Sequence, residues 1–148
     1  RTGDEGEIDN EGRLRITGRV KDLFKTAKGK YVAPSPIELK IAANKYIEQV
    51  CLVGENIPQP IALVVLSENG RTYEKSELAQ NLAKTLDIVN PTLDQHERVK
   101  KFVIVKDDWT VENTVLTPSM KIKRNVVDKL YKDRYETWYE QQEAVVWE

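Results

Sequence analysis

Apolar positions fall into short runs divided by polar turns, and their spacing alternates between two and the three-to-four of a helix face. Residues 5–17 read as a hairpin: Ile8 before a turn at Asp9-Asn10-Glu11-Gly12, then Leu14 and Ile16. A second hairpin is predicted around Leu23-Phe24-Lys25-Thr26, with a turn at Ala27-Lys28-Gly29 and a return through Lys30-Tyr31-Val32. A helix start follows, with Ser35 as N-cap, Pro36 at the first helical position and Glu38 completing a capping box. Ile37, Ile41 and Ala42 give this helix its inward stripe up to about Asn44. Residues 48–54 and 60–67 read as strands, the second carrying the apolar run Ile61 to Leu66 that suits a central position. Asn69-Gly70 turns the chain into the clearest amphipathic helix, marked by Leu78, Ala79, Leu82, Ala83 and Leu86. Asn90-Pro91 opens a further helix to about Lys101, residues 102–106 form a strand, and residues 110–120 a loop. From Asn125 a last helix places Val127, Leu130, Tyr131, Arg134 and Trp138 on one side. The predicted fold is α+β: a short β-hairpin followed by a three-stranded sheet flanked by helices.

Composition narrows the function classes more than the fold. The chain has 148 residues, 40% hydrophobic and 32% charged, which suits one domain or one domain with a piece of a neighbour. The formal net charge of −1 argues against wholesale nucleic-acid binding, so an anionic partner must use a local patch. Such a patch exists: residues 1–12 carry five acids and one base, residues 13–40 eight bases and two acids. The six-residue apolar run from Ile61 to Leu66 falls far short of the roughly 20 residues that span a bilayer. The single cysteine, Cys51, reads as a small core residue and favours a reducing compartment. The chain does not begin with methionine, and we expect a fragment of something longer.

The candidate chemistry centres on residues 17–38, where Arg19, Lys21, Lys25, Lys28 and Lys30 surround Gly29 and only Asp22 and Glu38 oppose them. This density of cations suits a polyphosphate, and a solvated basic hairpin is the plainer alternative. Asp4, after the permissive Gly3, offers a carboxylate that could accept hydrogen bonds from a pair of ribose hydroxyls; a solvated turn aspartate is the alternative. The single histidine, His96, falls in a polar helix without a cysteine, aspartate or second histidine at ligand spacing, so no metal site or histidine-dependent nucleophile is expected.

Three short motifs stand in a fixed order: RTGD at 1–4, GRVKD at 18–22 and LTPSMKIKR at 116–124, with KTAKGKYVAPSPIE between the second and third. Together they resemble the adenylate-forming superfamily of acyl-CoA synthetases, adenylation domains and luciferases, over nearly the whole chain. Residues 111–124, VENTVLTPSMKIKR, are most similar to the long-chain fatty acyl-CoA synthetase branch. Met120 departs from the glycine that many members carry before the lysine, which leaves the lysine in place and blurs the branch.

The resemblance implies residues 1–20 as the tail of a large N-terminal adenylation domain and residues 21–148 as a small mobile C-terminal domain hinged at Lys21. It implies a two-step reaction: a fatty acid and ATP, with magnesium, form an acyl adenylate, and coenzyme A then takes the acyl group as a thioester. Lys121 matches the adenylation lysine, Asp4 the ribose-hydroxyl acceptor, and Arg19 the residue supporting the ribose and adenylate. Gly29 matches the glycine beside the pantetheine tunnel. Lys28 and Lys30 flank it and could meet coenzyme A phosphates, solvated lysines being the alternative. The partners implied are the chain's own N-terminal adenylation domain and the small-molecule substrates ATP, fatty acid and coenzyme A. Nucleic acid is not among them, and a cytoplasmic location with at most peripheral membrane contact is expected. Two other readings stay open. One is an acyl-AMP ligase or carrier-loading adenylation domain; the other is a stand-alone anion-binding module built on the GRVKD and KIKR patches.

Overall fold

The computed structural model describes residues 23–119 and 121–148. The hairpin expected at 5–17, the hinge expected at Lys21, and Asp4 and Arg19 lie outside them.

Two strands, β1 (Phe24–Lys25) and β2 (Tyr31–Val32), pair antiparallel with Phe24 opposite Val32, as the turn chemistry around Gly29 predicts. α1 (Pro34–Ala42) follows, then β3 (Ile47–Val53) and β4 (Ile61–Leu66), a short α2 (Glu68–Thr72) and the long α3 (Lys75–Val89). β5 (Phe102–Ile104), α4 (Arg124–Tyr131), α5 (Tyr135–Glu140) and β6 (Val145–Trp147) complete the chain. Among the described residues the main sheet has four strands in the order β3-β4-β5-β6, antiparallel at the first pairing and parallel at the next two. The α+β expectation holds, and the sheet carries one strand more than the three expected. Val145-Val146-Trp147 is too short to show alternation, and only the exposed edge of β5 gives it a place to pair.

Alternation along β4 divides the core. Ala62, Val64 and Leu66 face α1 and α3 through Ile37, Ile41, Leu78, Leu82 and Leu86. Ile61, Leu63 and Val65 face α4 and α5 through Val127, Tyr131, Tyr135 and Trp138. All six β4 residues are buried, as a central strand covered on both faces requires.

Local signals misled in several places. α1 begins at Pro34 with Ala33 as N-cap and no side-chain cap, so the Ser35–Glu38 capping box does not form. Ala42 is exposed, leaving Ile37 and Ile41 as the inward stripe. Asn69-Gly70 lies inside α2, which Ser67 caps by accepting from the Gly70 N–H at 3.2 Å. The helix expected from Asn90 to Lys101 is two 3₁₀ turns, Asn90–Thr92 and Gln95–Glu97, because the Asn90 side chain bonds across to both backbone groups of Val99. Among the described residues no helix is long and apolar enough to cross a membrane.

Candidate functional site

The turn between β1 and β2 is closed by backbone bonds: Thr26 N–H donates to Lys30 O and Gly29 N–H to Thr26 O, both at 2.9 Å. Gly29 adopts φ +82°, a left-handed conformation that glycine takes without steric cost. Ala27 N–H donates to Ile57 O at 2.9 Å, docking the turn on the loop after β3. Lys28, Gly29 and Lys30 are exposed at its tip, and nothing but Lys25 Cε comes within 4.0 Å of where a Gly29 Cβ would stand. Beside the hairpin a cleft of about 360 Å³ is lined by Tyr31, Gly54, Glu55, Arg124, Asn125 and Asp128 among others. The hairpin therefore offers a narrow, cation-flanked surface that an extended anionic ligand can approach closely.

Lys121 stands on a second loop. Leu116 and Ile122 form an isolated antiparallel bridge, Thr117 N–H donates to Lys121 O at 2.8 Å, and Lys121 N–H donates to Thr117 Oγ1 at 3.0 Å. Lys123 N–H donates to Val115 O at 2.7 Å, and Val115 and Leu116 are buried. Asn113 braces the approach, its side-chain oxygen accepting from the N–H groups of Thr110 and Val115. The loop's base is held by these hydrogen bonds while the Lys121 side chain is exposed.

The apolar residues at the base of the two loops belong to opposite faces of the sheet. Phe24 and Val32 of the hairpin pack with the α1/α3 cluster, whereas Val115, Leu116 and Ile122 pack with the α4/α5 cluster. The structure therefore does not bring Lys121 and Gly29 into one pocket.

Sequence reasoning passed over the side chains at their junction. Glu38, expected to cap α1, forms a two-pronged ion pair with Arg124: Nη1 to Oε2 at 2.6 Å and Nη2 to Oε1 at 3.1 Å. Nearby, burial pushes the Asp128 carboxyl above the ordinary range, against the hydrogen bond it accepts from Tyr135 Oη at 2.8 Å. No sequence signal marks either pairing, since their partners lie 86 and seven residues apart. His96 also has company that sequence spacing did not suggest: ligand atoms of Asp94, His96 and Glu97 lie within 4.8 Å of one another. Both carboxylates there are engaged in a reciprocal capping box.

With this geometry in view, a family model described as "AMP-binding enzyme C-terminal domain" matches residues 21–143. The chain belongs to that family. Among curated relatives, this AMP-binding enzyme C-terminal domain is 32% identical to a long-chain-fatty-acid–CoA ligase of Mycobacterium tuberculosis, over 94% of the chain and 26% of that protein. The adenylation domain of a carboxylate reductase from Mycobacterium chelonae has the same fold, with TM-score 0.72 and 24% identity over 84% of the chain and 20% of that one. MatB from Rhodopseudomonas palustris is 30% identical with TM-score 0.57, over 90% of the chain and 24% of its own length. The chain spans about a quarter of the length of the curated relatives it matches.

Proposed function

We propose that this domain is the mobile C-terminal part of a long-chain fatty acid–CoA ligase, with Lys121 and Gly29 serving successive half-reactions. The observation that carries the reading is that the apolar bases of the two loops pack into opposite faces of one sheet. A domain built so presents one face or the other to a shared pocket by reorienting, and Lys21 is the residue about which it turns.

In the first half-reaction a carboxylate oxygen of the fatty acid attacks the α-phosphorus of ATP. The bond from that phosphorus to the bridging oxygen breaks, and pyrophosphate leaves. Two anions meet in this step, and the Lys121 ammonium offsets the charge that develops between them. Asp4 holds the ribose hydroxyls and Arg19 supports the adenylate. In the second, the coenzyme A sulfur attacks the acyl carbon, AMP leaves with the acyl–oxygen bond, and the thiol proton passes to solvent. Gly29 keeps the pantetheine path open, with Lys28 and Lys30 toward the nucleotide phosphates.

The test uses the full-length enzyme. Lys121→Ala should lower pyrophosphate exchange by about 10²–10³ and spare thioester formation from supplied acyl adenylate. Gly29→Leu should spare exchange and block the thioester. Lys21→Pro should hold one orientation, so that exchange continues and thioester formation collapses. Loss of the same half-reaction in both the Lys121 and Gly29 variants would refute the reading.

A further inference from the structure

β3 is an edge strand, and edge strands leave unpaired N–H and C=O groups on their outer side. At Leu52 both groups are taken up by a single pair of side chains. The Leu52 N–H donates to Glu38 Oε2 at 2.7 Å, and Leu52 O accepts from Arg124 Nη1 at 3.3 Å. The pair thus covers the strand edge as a neighbouring strand would, acceptor against donor and donor against acceptor. It is largely buried, with 20% of the Arg124 side chain and 15% of the Glu38 side chain exposed.

Of the three elements it joins, two adjoin the loops that the proposed reaction uses. Arg124 opens α4 and lies three residues after Lys121; Glu38 is on α1, which starts two residues after Val32 of the hairpin. The Lys121 loop is closed across its base by Lys123 N–H on Val115 O, one residue before Arg124. Arg124 therefore ties that closed base to the β3 edge, and Glu38 ties the same point to the element carrying the hairpin.

We propose that the Glu38–Arg124 pair is a positioning clamp: it sets the aim of Lys121 and makes the two functional loops one rigid body. The inference rests on the proposed function. Neither residue touches the reacting atoms. Each acts through backbone position, and small displacements of a charged group away from its target are expensive in rate. Lysine at 124 keeps the charge but loses the fork that engages both carboxylate oxygens and Leu52 O together.

The experiment uses the full-length enzyme with Arg124→Lys, Glu38→Gln and the exchanged pair Glu38→Arg with Arg124→Glu. Assays run well below each melting temperature. We expect Arg124→Lys and Glu38→Gln to lower kcat of pyrophosphate exchange about tenfold to a hundredfold with KM for ATP unchanged. Thioester formation from supplied acyl adenylate should fall far less. The exchanged pair should not recover activity, because it sets a cation against the Leu52 N–H and an anion against Leu52 O. Unchanged kcat with a lowered melting temperature, or recovery in the exchanged pair, overturns the clamp. If the wild-type enzyme shows no pyrophosphate exchange, the proposed function fails and hydrogen exchange decides the clamp alone. Faster exchange of the Leu52, Lys121 and Lys123 amides in Arg124→Lys, with β4 unchanged, supports it; exchange equal to wild type overturns it.

Discussion

Replacing Gly70 by alanine reverses the usual sign of a helical glycine substitution. In an open helix interior, alanine in place of glycine gains about 1 kcal/mol. Gly70 lies buried in α2 without the left-handed φ that would demand glycine on conformational grounds. Its constraint is space: an added Cβ would stand 2.6 Å from Tyr46 O and 3.3 Å from Leu66 Cβ and Cδ2. The Tyr46 carbonyl cannot simply retreat, because it accepts from Ser67 N–H at 2.9 Å, and Ser67 Oγ donates to Lys45 O at 2.9 Å. Relieving the overlap therefore moves α2 away from the turn before β3. Overpacking of this kind costs about 1–3 kcal/mol, and loosening the Ser67 bond adds about 1 kcal/mol. Set against the propensity gain, the net loss is about 1–3 kcal/mol, or a fall of roughly 3–9 °C in Tm for a chain of this size. Thermal unfolding followed by circular dichroism reads the shift, with exposed Asn69→Ala as a control expected to change little. Gly70→Asn should be worse than Gly70→Ala, whereas a glycine held for a left-handed turn would tolerate asparagine better. Gly70→Ala melting at or above wild type would refute the close-approach argument.

Other sites give sharp expectations. Burial raises the Asp128 carboxyl, so the folded state holds its proton to higher pH than the unfolded state; its contribution is complete at low pH and declines as pH climbs past the carboxylate range. Asp128→Asn should therefore gain stability relative to wild type between about pH 4 and pH 7 in urea titrations, and a constant difference would contradict this. The Cys51 thiol is fully buried, and that burial pushes its pKa far above the usual thiol range; it should resist a thiol-specific disulfide reagent in the native state and react fully in denaturant. Gly29→Ala should cost about 1 kcal/mol through its φ of +82° alone, since the space around it is open. Gly29→Asn should cost less in the same melts, and equal losses would point to packing instead.

What could be read from the sequence was whatever a short window decides. β1 and β2 around Gly29, the six-residue run of β4 and the Leu78–Leu82–Leu86 stripe of α3 all carry their pattern locally, and all appear where expected. Two of the failures share one cause, a side chain claimed by a partner outside its own segment. Glu38 matched a capping box, yet a strand edge and an arginine 86 residues away claim it. Asn90 matched a helix cap, yet it braces Val99. Leu130 matched the inward stripe of α4 but is 53% exposed, because the chain tightens into a 3₁₀ turn at Lys132–Arg134 and α5 sets off afresh. For the candidate site, the motifs singled out Lys121 and Gly29. That the bases of their loops would pack into opposite faces was not legible, since it follows from which cluster each loop packs against.

The strand order also sets a schedule for folding. β3 and β4 are joined by a short loop and pair antiparallel, so their contact closes early and cheaply. β6 pairs in parallel with β5 across some forty residues, Phe102 opposite Val145 and Ile104 opposite Trp147. On the ribosome, the wholly apolar edge Phe102-Val103-Ile104 must wait through the synthesis of the Lys121 loop and both following helices before its partner emerges. For that interval the nascent chain carries an uncovered sheet margin, open to whatever extended segment arrives first.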